Sequence, residues 1–429
     1  MKQPSTTAQQ IDWGALIMGL FLALSIASMF LLTGFLVLFG ISALPGLKTR
    51  DPLTFLILAG GVFALGILLF PGLYFNLRKL FNQPDLHFDL PRLDDRILIP
   101  TLVTTWLLCL VLGQISTVNQ ISSAILLPVL NVFAVGLPIL LYLRLSLRGL
   151  ELPSARRAWS LLGASLIISP TLAFIFEALA VGLILLLFMA YANFIPGLQA
   201  ALNSILRTFQ TGSRSENETM RLAANLLFAP GVAFTAIGTF SVAVPLIEET
   251  LKPILIWPLI NRIRRPVEGF VLGTLCGAAF ALAENIGFTS TGSADWAINA
   301  ATRATAALPH MLNSGLLGWA LVSAWKEHRY GRLAKTFLAV ILIHGTWNAI
   351  SLGLAMNGLA DYVSNVPFYL QNSYPWVCAW VLLAIGAFGG LVFNNVQMRK
   401  LRASEPDENI EYNSTLLSQT LGGNNDGHP

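Results

Sequence analysis

Three clusters of polar residues lie in stretches whose other side chains suit only lipid: Glu248-Glu249-Thr250-Leu251-Lys252-Pro253, Phe280-Ala281-Leu282-Ala283-Glu284-Asn285, and His310 with His344-Gly345-Thr346-Trp347-Asn348. An ionised carboxylate in hydrocarbon is costly unless it is paired, protonated or faces water, so groups of this kind at membrane depth point to function. On a helix, Lys252 falls one turn after both glutamates, four residues from Glu248 and three from Glu249, where it can neutralise either. Adjacent side chains on a helix point about 100° apart, so the glutamates can divide their work. One can face a cavity and take a proton from water while the other is held by the lysine or a neighbouring helix. Pro245 and Pro253 bracket the cluster and remove backbone donors, which predicts a local distortion with room for water.

Glu284 lies one turn after Phe280, which can pack on the carboxylate, and Asn285 sits beside the acid as an orienting group. By the same four-residue spacing His310 shares a face with Ser314 and His344 with Asn348. An imidazole one turn from an amide is an apparatus for holding a developing oxyanion. A single buried histidine is more often a core hydrogen-bonding residue than a catalyst. Three glutamates and two histidines on four successive apolar stretches favour an active cavity instead. A transporter or proton-coupled carrier could use the same groups, but it would show broken helices in two related halves, and here the polarity is confined to one half.

The elements that position these groups follow from composition. The chain has 429 residues, 55% hydrophobic and 11% charged, with mean hydropathy +0.67, which excludes an ordinary soluble domain. Apolar runs long enough to cross a bilayer recur over 14–40, 53–75, 97–115, 122–145, 159–192, 231–261, 268–289, 304–325, 334–356 and 374–396. Lipid cannot satisfy free backbone groups and the alternating pattern of a membrane barrel is missing, so the expected fold is an all-α polytopic bundle of about ten transmembrane helices. The first run is too long for a signal peptide and ends in no A-x-A site, so it is expected to stay in the mature chain. Counted on alternate sides of ten spans, nineteen Lys and Arg fall on the side of the termini and six on the other, with Lys252 inside a span. Both termini are therefore expected to be cytoplasmic, in a multi-pass protein of the cell membrane. The basic residues sit in short loops, which gives nucleic-acid binding no support.

Cys109, Cys276 and Cys378 lie in separate spans with no C-x-x-C spacing and read as small buried hydrophobes. The chain divides into a short N-terminus (1–12), a transmembrane scaffold (13–230), a catalytic core (231–356), a last helix (357–402) and a disordered tail (403–429). Within the scaffold, Glu177 is the one carboxylate at membrane depth and reads as a structural group. The loop 76–96, with Asp85, His87, Asp89, Asp94 and Asp95, reads as solvated rather than metal-binding. Segment 193–230 places Leu198, Leu202, Ile205, Leu206 and Phe209 on one stripe, the pattern of an amphipathic helix lying on the outer surface. At the rise of an α-helix, Glu284, His310 and Asn348 lie about 8, 9 and 12 Å below the outer boundary and His344 about 18 Å. The cavity is thus expected between the midplane and the outer face.

Taken in order along four successive spans, E-E-x-x-K-P, F-x-x-x-E-N, a lone histidine and H-x-x-x-N resemble the motifs of the PrsW family of intramembrane proteases. That family is distantly similar to the CAAX prenyl protease and bacteriocin-processing superfamily, whose second motif is F-x-x-x-H; here it ends in Glu284. The likeness covers residues 231–356 and implies cleavage of membrane-anchored proteins, such as anti-sigma factors, near the outer face of the bilayer. By position, Glu248 and Glu249 match the double glutamate, Lys252 its basic partner, Glu284 and Asn285 the second motif, His310 the third, and His344 with Asn348 the last. The expected chemistry is peptide hydrolysis by water activated by Glu248 or Glu249, with His344 and Asn348 steadying the oxyanion. A metal-free and a metal-assisted mechanism both fit these residues, since Glu284, His310 and His344 could ligate zinc and leave a position for water. The H-E-x-x-H, G-x-S-G and G-x-G-D signatures of other membrane proteases are not present.

Overall fold

The computed structural model describes residues 11–43, 52–90, 93–195, 197, 199–200, 202–204, 207, 216–228, 231–290, 295–363 and 370–404. Leu198, Ile205, Leu206 and Phe209 of the expected outer stripe, and residues 405–429 of the tail, lie outside them. The described chain is helical, with an isolated bridge between His87 and Ser154. In chain order the helices are α1 (Trp13–Ala43), α2 (Pro52–Leu68), α3 (Phe70–Leu80), α4 (Asp95–Ser116), α5 (Gln120–Leu147), α6 (Ala155–Ala192) and α7 (Glu216–Leu227). A compound span follows: α8 (Val232–Gly238), a π turn (Thr239–Ala243), α9 (Val244–Leu251) and a 3-10 stretch (Ile254–Arg262). Last come α10 (Pro266–Thr289), α11 (Trp296–Glu327), α12 (Tyr330–Gly358) and α13 (Tyr374–Ser404).

Helix is the one form in which a lone apolar segment satisfies its own backbone in lipid. Local signals set the starts: Asp94, Asn119 and Ser154 cap α4, α5 and α6 by accepting from the backbone N–H of Arg96, Ile121 and Arg157. Among the described residues nine helical spans are long and apolar enough to cross a membrane. The tenth expected span, α11, falls short of that apolarity although it has 32 residues. The reason is its place in the bundle. Most of α11 is buried among other helices, so it carries Ala, Gly, Ser and Asn where lipid-facing α1 carries exposed Ile17, Leu24 and Leu31.

Glycines set how closely α10 and α11 approach. Gly269, Gly273 and Gly277 recur every four residues on α10, and a Cβ on them would run into the backbone carbonyls of Gly318, Ser314 and His310 on α11. Small residues at this spacing let two helix backbones touch, which is the packing lipid-embedded helices use in place of a hydrophobic drive. The pairing brings Glu284, near the C-terminal end of α10, beside His310 of α11. Val135 and Ile139 of α5, Leu162 and Leu166 of α6, Phe270 and Leu275 of α10, and Leu308 and Met311 of α11 belong to one core, so the packing runs across residue 230.

Candidate active site

The distortion expected from the two prolines takes a definite form. The π turn at Thr239–Ala243 runs into Pro245 in the first turn of α9, and Pro253 leads from α9 into the 3-10 stretch. The eight-residue α9 is left between two changes of helical pitch, with Glu248 and Glu249 buried. Lys252 Nζ lies 2.9 Å from Glu248 Oε2 and 2.7 Å from Glu249 Oε1, and 4.7 Å from the centre of the Phe280 ring. The lysine is fully buried, so its charge is answered by these two carboxylates and the aromatic face rather than by water.

The histidines are each gripped from behind by a carboxylate. His344 Nδ1 donates to Glu249 Oε1 at 2.8 Å, and His310 Nε2 lies 2.8 Å from Glu284 Oε2. A carboxylate only accepts, so the ring nitrogen facing it carries the proton and the opposite nitrogen of a neutral ring presents a lone pair. Those opposite nitrogens, His310 Nδ1 and His344 Nε2, are each 3.8 Å from Glu248 Oε2. The ring centroids stand 5.3 Å apart, edge to face. His310 Nδ1 is buried and has no hydrogen-bond partner among the described residues.

Ligand atoms of Glu248, His310 and His344 all lie within 4.8 Å of one another, and the three residues are buried. Three electron-pair donors converging on one buried point, with each imidazole backed by a carboxylate, fit a divalent metal of the zinc type. The structure therefore groups Glu248 with the two histidines, where the sequence reading had Glu284. Glu284 sits on the far side of the His310 ring, with Oε1 2.8 Å from Arg303 Nη2.

A cavity of about 670 Å³ opens in front of this group, walled by α6, the π turn, α9, α10, α11 and α12. Glu248, Glu284, His310, His344 and Asn348 line it. Glu249 and Lys252 lie behind, fully buried. Asn285 is turned aside: its Nδ2 donates to the Arg303 carbonyl and its Oδ1 accepts from Arg303 Nε, both at 2.9 Å. Asn348 Nδ2 donates to the Phe240 carbonyl in the π turn at 2.9 Å, and the backbone of Gly345 abuts the Ser241 carbonyl so closely that a Cβ would not fit. The motif H-x-x-x-N thus docks α12 onto the widened turn as well as facing the cavity.

Two cavity residues escaped the sequence reading. Arg303, counted there as a loop charge, lines the cavity and pairs with Glu284. Its signal was its position seven residues, two helical turns, before His310 on the same face. Glu177 on α6, read as structural, lines the same cavity, and its Oε1 is buried without a hydrogen-bond partner among the described residues.

A profile of the PrsW family of intramembrane metalloproteases matches residues 171–385, half of the chain. The chain belongs to the PrsW family. No curated protein and no solved structure matches it. The PrsW match begins on α6, upstream of the motifs, and so takes in Glu177 together with α9 to α12. Membership makes this multi-pass membrane protein an intramembrane peptidase, and a carrier is not favoured.

Proposed function

We propose that this PrsW peptidase hydrolyses a peptide bond of a membrane-anchored protein in the cavity bounded by Glu248, His310 and His344. The observation that carries the reading is the convergence of His310 Nδ1 and His344 Nε2 on Glu248 Oε2, each at 3.8 Å. Those three residues would hold a divalent metal, with Glu284 and Glu249 fixing the imidazoles from behind. When bound there, zinc supplies a Lewis acid and acidifies its water.

Proton transfer needs a carboxylate with a free oxygen on the cavity wall. Glu249 is saturated at Oε1 by Lys252 and His344 and does not line the cavity; Glu284 is spanned by Arg303 and His310. Glu177 lines the cavity, close enough to Glu248 and Glu284 to feel both charges, and with no ion pair among the described residues. In our reading Glu177 relays the proton from the attacking water to the leaving amine, while Glu248 holds the water's site. His344 cannot also donate to an oxyanion, because its one N–H already points at Glu249. That role falls to the second amide hydrogen of Asn348.

The cavity rim carries exposed Phe174, Phe240 and Phe288, an apolar lip suited to a segment arriving from lipid. We place the cavity in the outer half of the bilayer and both termini in the cytoplasm, on the distribution of Lys and Arg. The test is cleavage of tagged single-span proteins by the purified enzyme in liposomes, comparing wild type with Glu248→Gln and Glu177→Gln. Both variants should lose activity; equal cleavage by wild type and Glu248→Gln overturns the assignment.

A further inference from the structure

We propose that Arg303 is a positioning residue of this site, fixing Glu284 so that Glu284 in turn holds His310 with Nδ1 facing Glu248. The inference rests on the peptidase reading above and adds to it a residue that no motif of the chain includes.

The guanidinium is held at three places. Nη2 pairs with Glu284 Oε1 at 2.8 Å, Nε donates to Asn285 Oδ1 at 2.9 Å, and Cζ lies 4.4 Å above the Phe288 ring. Asn285 Nδ2 returns to the Arg303 carbonyl at 2.9 Å, so one amide clamps both the side chain and the backbone of Arg303. The adjacent pair Glu284-Asn285 on α10 therefore grips a single residue of α11, two turns from His310. With Arg303 on one carboxylate oxygen and His310 on the other, the plane of the Glu284 carboxylate is fixed. Remove Arg303 and the terminal torsion of Glu284, broad and two-fold by nature, is free to turn. The imidazole then loses its fixed tautomer and ring orientation. Arginine is required because its planar fork reaches Glu284 and Asn285 at once, which an ammonium on a flexible stem does not do.

A mere strut between α10 and α11 would give the same contacts but different kinetics. The experiment is a double-mutant cycle on cleavage of a tagged single-span substrate in liposomes, with Arg303→Gln, Glu284→Gln and the pair. Loss of an outer partner of a metal-site histidine costs about 10–100-fold. Arg303→Gln should lower kcat by that factor with KM nearly unchanged, and the double variant should be no slower than the slower single. Zinc affinity, measured by competition with a chromophoric chelator, should fall by a comparable factor in Arg303→Gln and recover only in part in Arg303→Lys. Losses that multiply in the double variant, or a change confined to KM, overturn the proposal. If Arg303→Gln does not survive purification, the cycle is run with Arg303→Lys, which keeps charge and bulk. Failure of the peptidase reading looks different: Glu248→Gln would then cleave like wild type. Failure of the Arg303 proposal leaves Glu248→Gln inactive while Arg303→Gln keeps the wild-type kcat.

Discussion

Lys252→Met keeps the length of a side chain that is fully buried and removes its charge. Two carboxylates on consecutive residues then share a site from which the cation 2.9 and 2.7 Å away has gone, leaving His344 as the donor to Glu249 Oε1. Breaking a buried ion pair by deleting one partner costs about 3–5 kcal/mol, because the surviving charge stays desolvated. The lost contact with the Phe280 ring adds roughly 0.5–2 kcal/mol. Helix propensity hardly differs between Lys and Met, so the local backbone contributes little. A total of about 3.5–7 kcal/mol is a large part of the stability of a typical domain. The triple variant Glu248→Gln, Glu249→Gln, Lys252→Met removes all three charges and should recover most of that loss, since neutral replacement of a whole buried cluster is often tolerated. Reversible SDS titration in mixed micelles, followed by tryptophan fluorescence, gives the free energies by linear extrapolation. Lys252→Met within about 0.5 kcal/mol of wild type, the noise expected of a neutral substitution, would refute the reasoning. So would a triple variant as unstable as the single.

Removal of divalent metal by a chelator should abolish cleavage and added zinc should restore it, and His310→Ala and His344→Ala should each lose bound zinc by elemental analysis; full activity with no metal bound would rule out the ligand set. Gly345→Ala should push α12 off the Ser241 carbonyl and move His344, with displacement of about 1 Å costing on the order of 100-fold in kcat, while Gly331→Ala at the open start of the same helix should leave the kinetics unchanged. Gly273→Ala should drive the α10 backbone off Ser314 and destabilise the protein by about 1–3 kcal/mol in the same titration; Gly287→Ala, with open space around it, is the neutral control.

The features legible in the sequence are those set by local geometry or by the bilayer. Helical spans follow because lipid leaves the backbone no other partner, and the approach of Lys252 to both glutamates follows from three- and four-residue spacing on one turn. Rotation of one helix against the next is not local. The spacing put Glu284 on a face with Phe280 and His310 on a face with Ser314 but could not say which side of the imidazole each carboxylate would meet; in the structure Glu284 faces Nε2 of His310 and Glu248 faces Nδ1. Arg303 was hidden for the same reason: its partners Glu284 and Asn285 lie across a connection in another helix. Asn348 finds the Phe240 carbonyl in the π turn; Pro245 and Pro253 announced a distortion there but not its form or the partner it would expose. The four-residue repeat Gly269, Gly273, Gly277 was present in the chain and did carry the α10–α11 contact, yet it looks like ordinary small-residue content until the partner helix is known.

Charge balance explains why so many ionisable groups can coexist at one depth. Glu177, Glu248, Glu249 and Glu284 face or back the cavity, and the fixed cations among them are Lys252 and Arg303. With every carboxylate ionised and both histidines neutral, the cluster carries a formal charge of −2, which a hydrocarbon surround does not tolerate. Two protons or one divalent cation make up the difference. Lys252 pairs with both Glu248 Oε2 and Glu249 Oε1, and Arg303 with Glu284 Oε1, so the fixed cations answer the carboxylates that contact the imidazoles. One lysine is shared by Glu248 and Glu249, and Glu177 at the cavity wall has no ion pair among the described residues, so the unanswered charge falls on that pair and on Glu177. A divalent metal held by Glu248, His310 and His344, or protons on Glu177 and one of the paired glutamates, would supply the missing positive charge at the cavity wall.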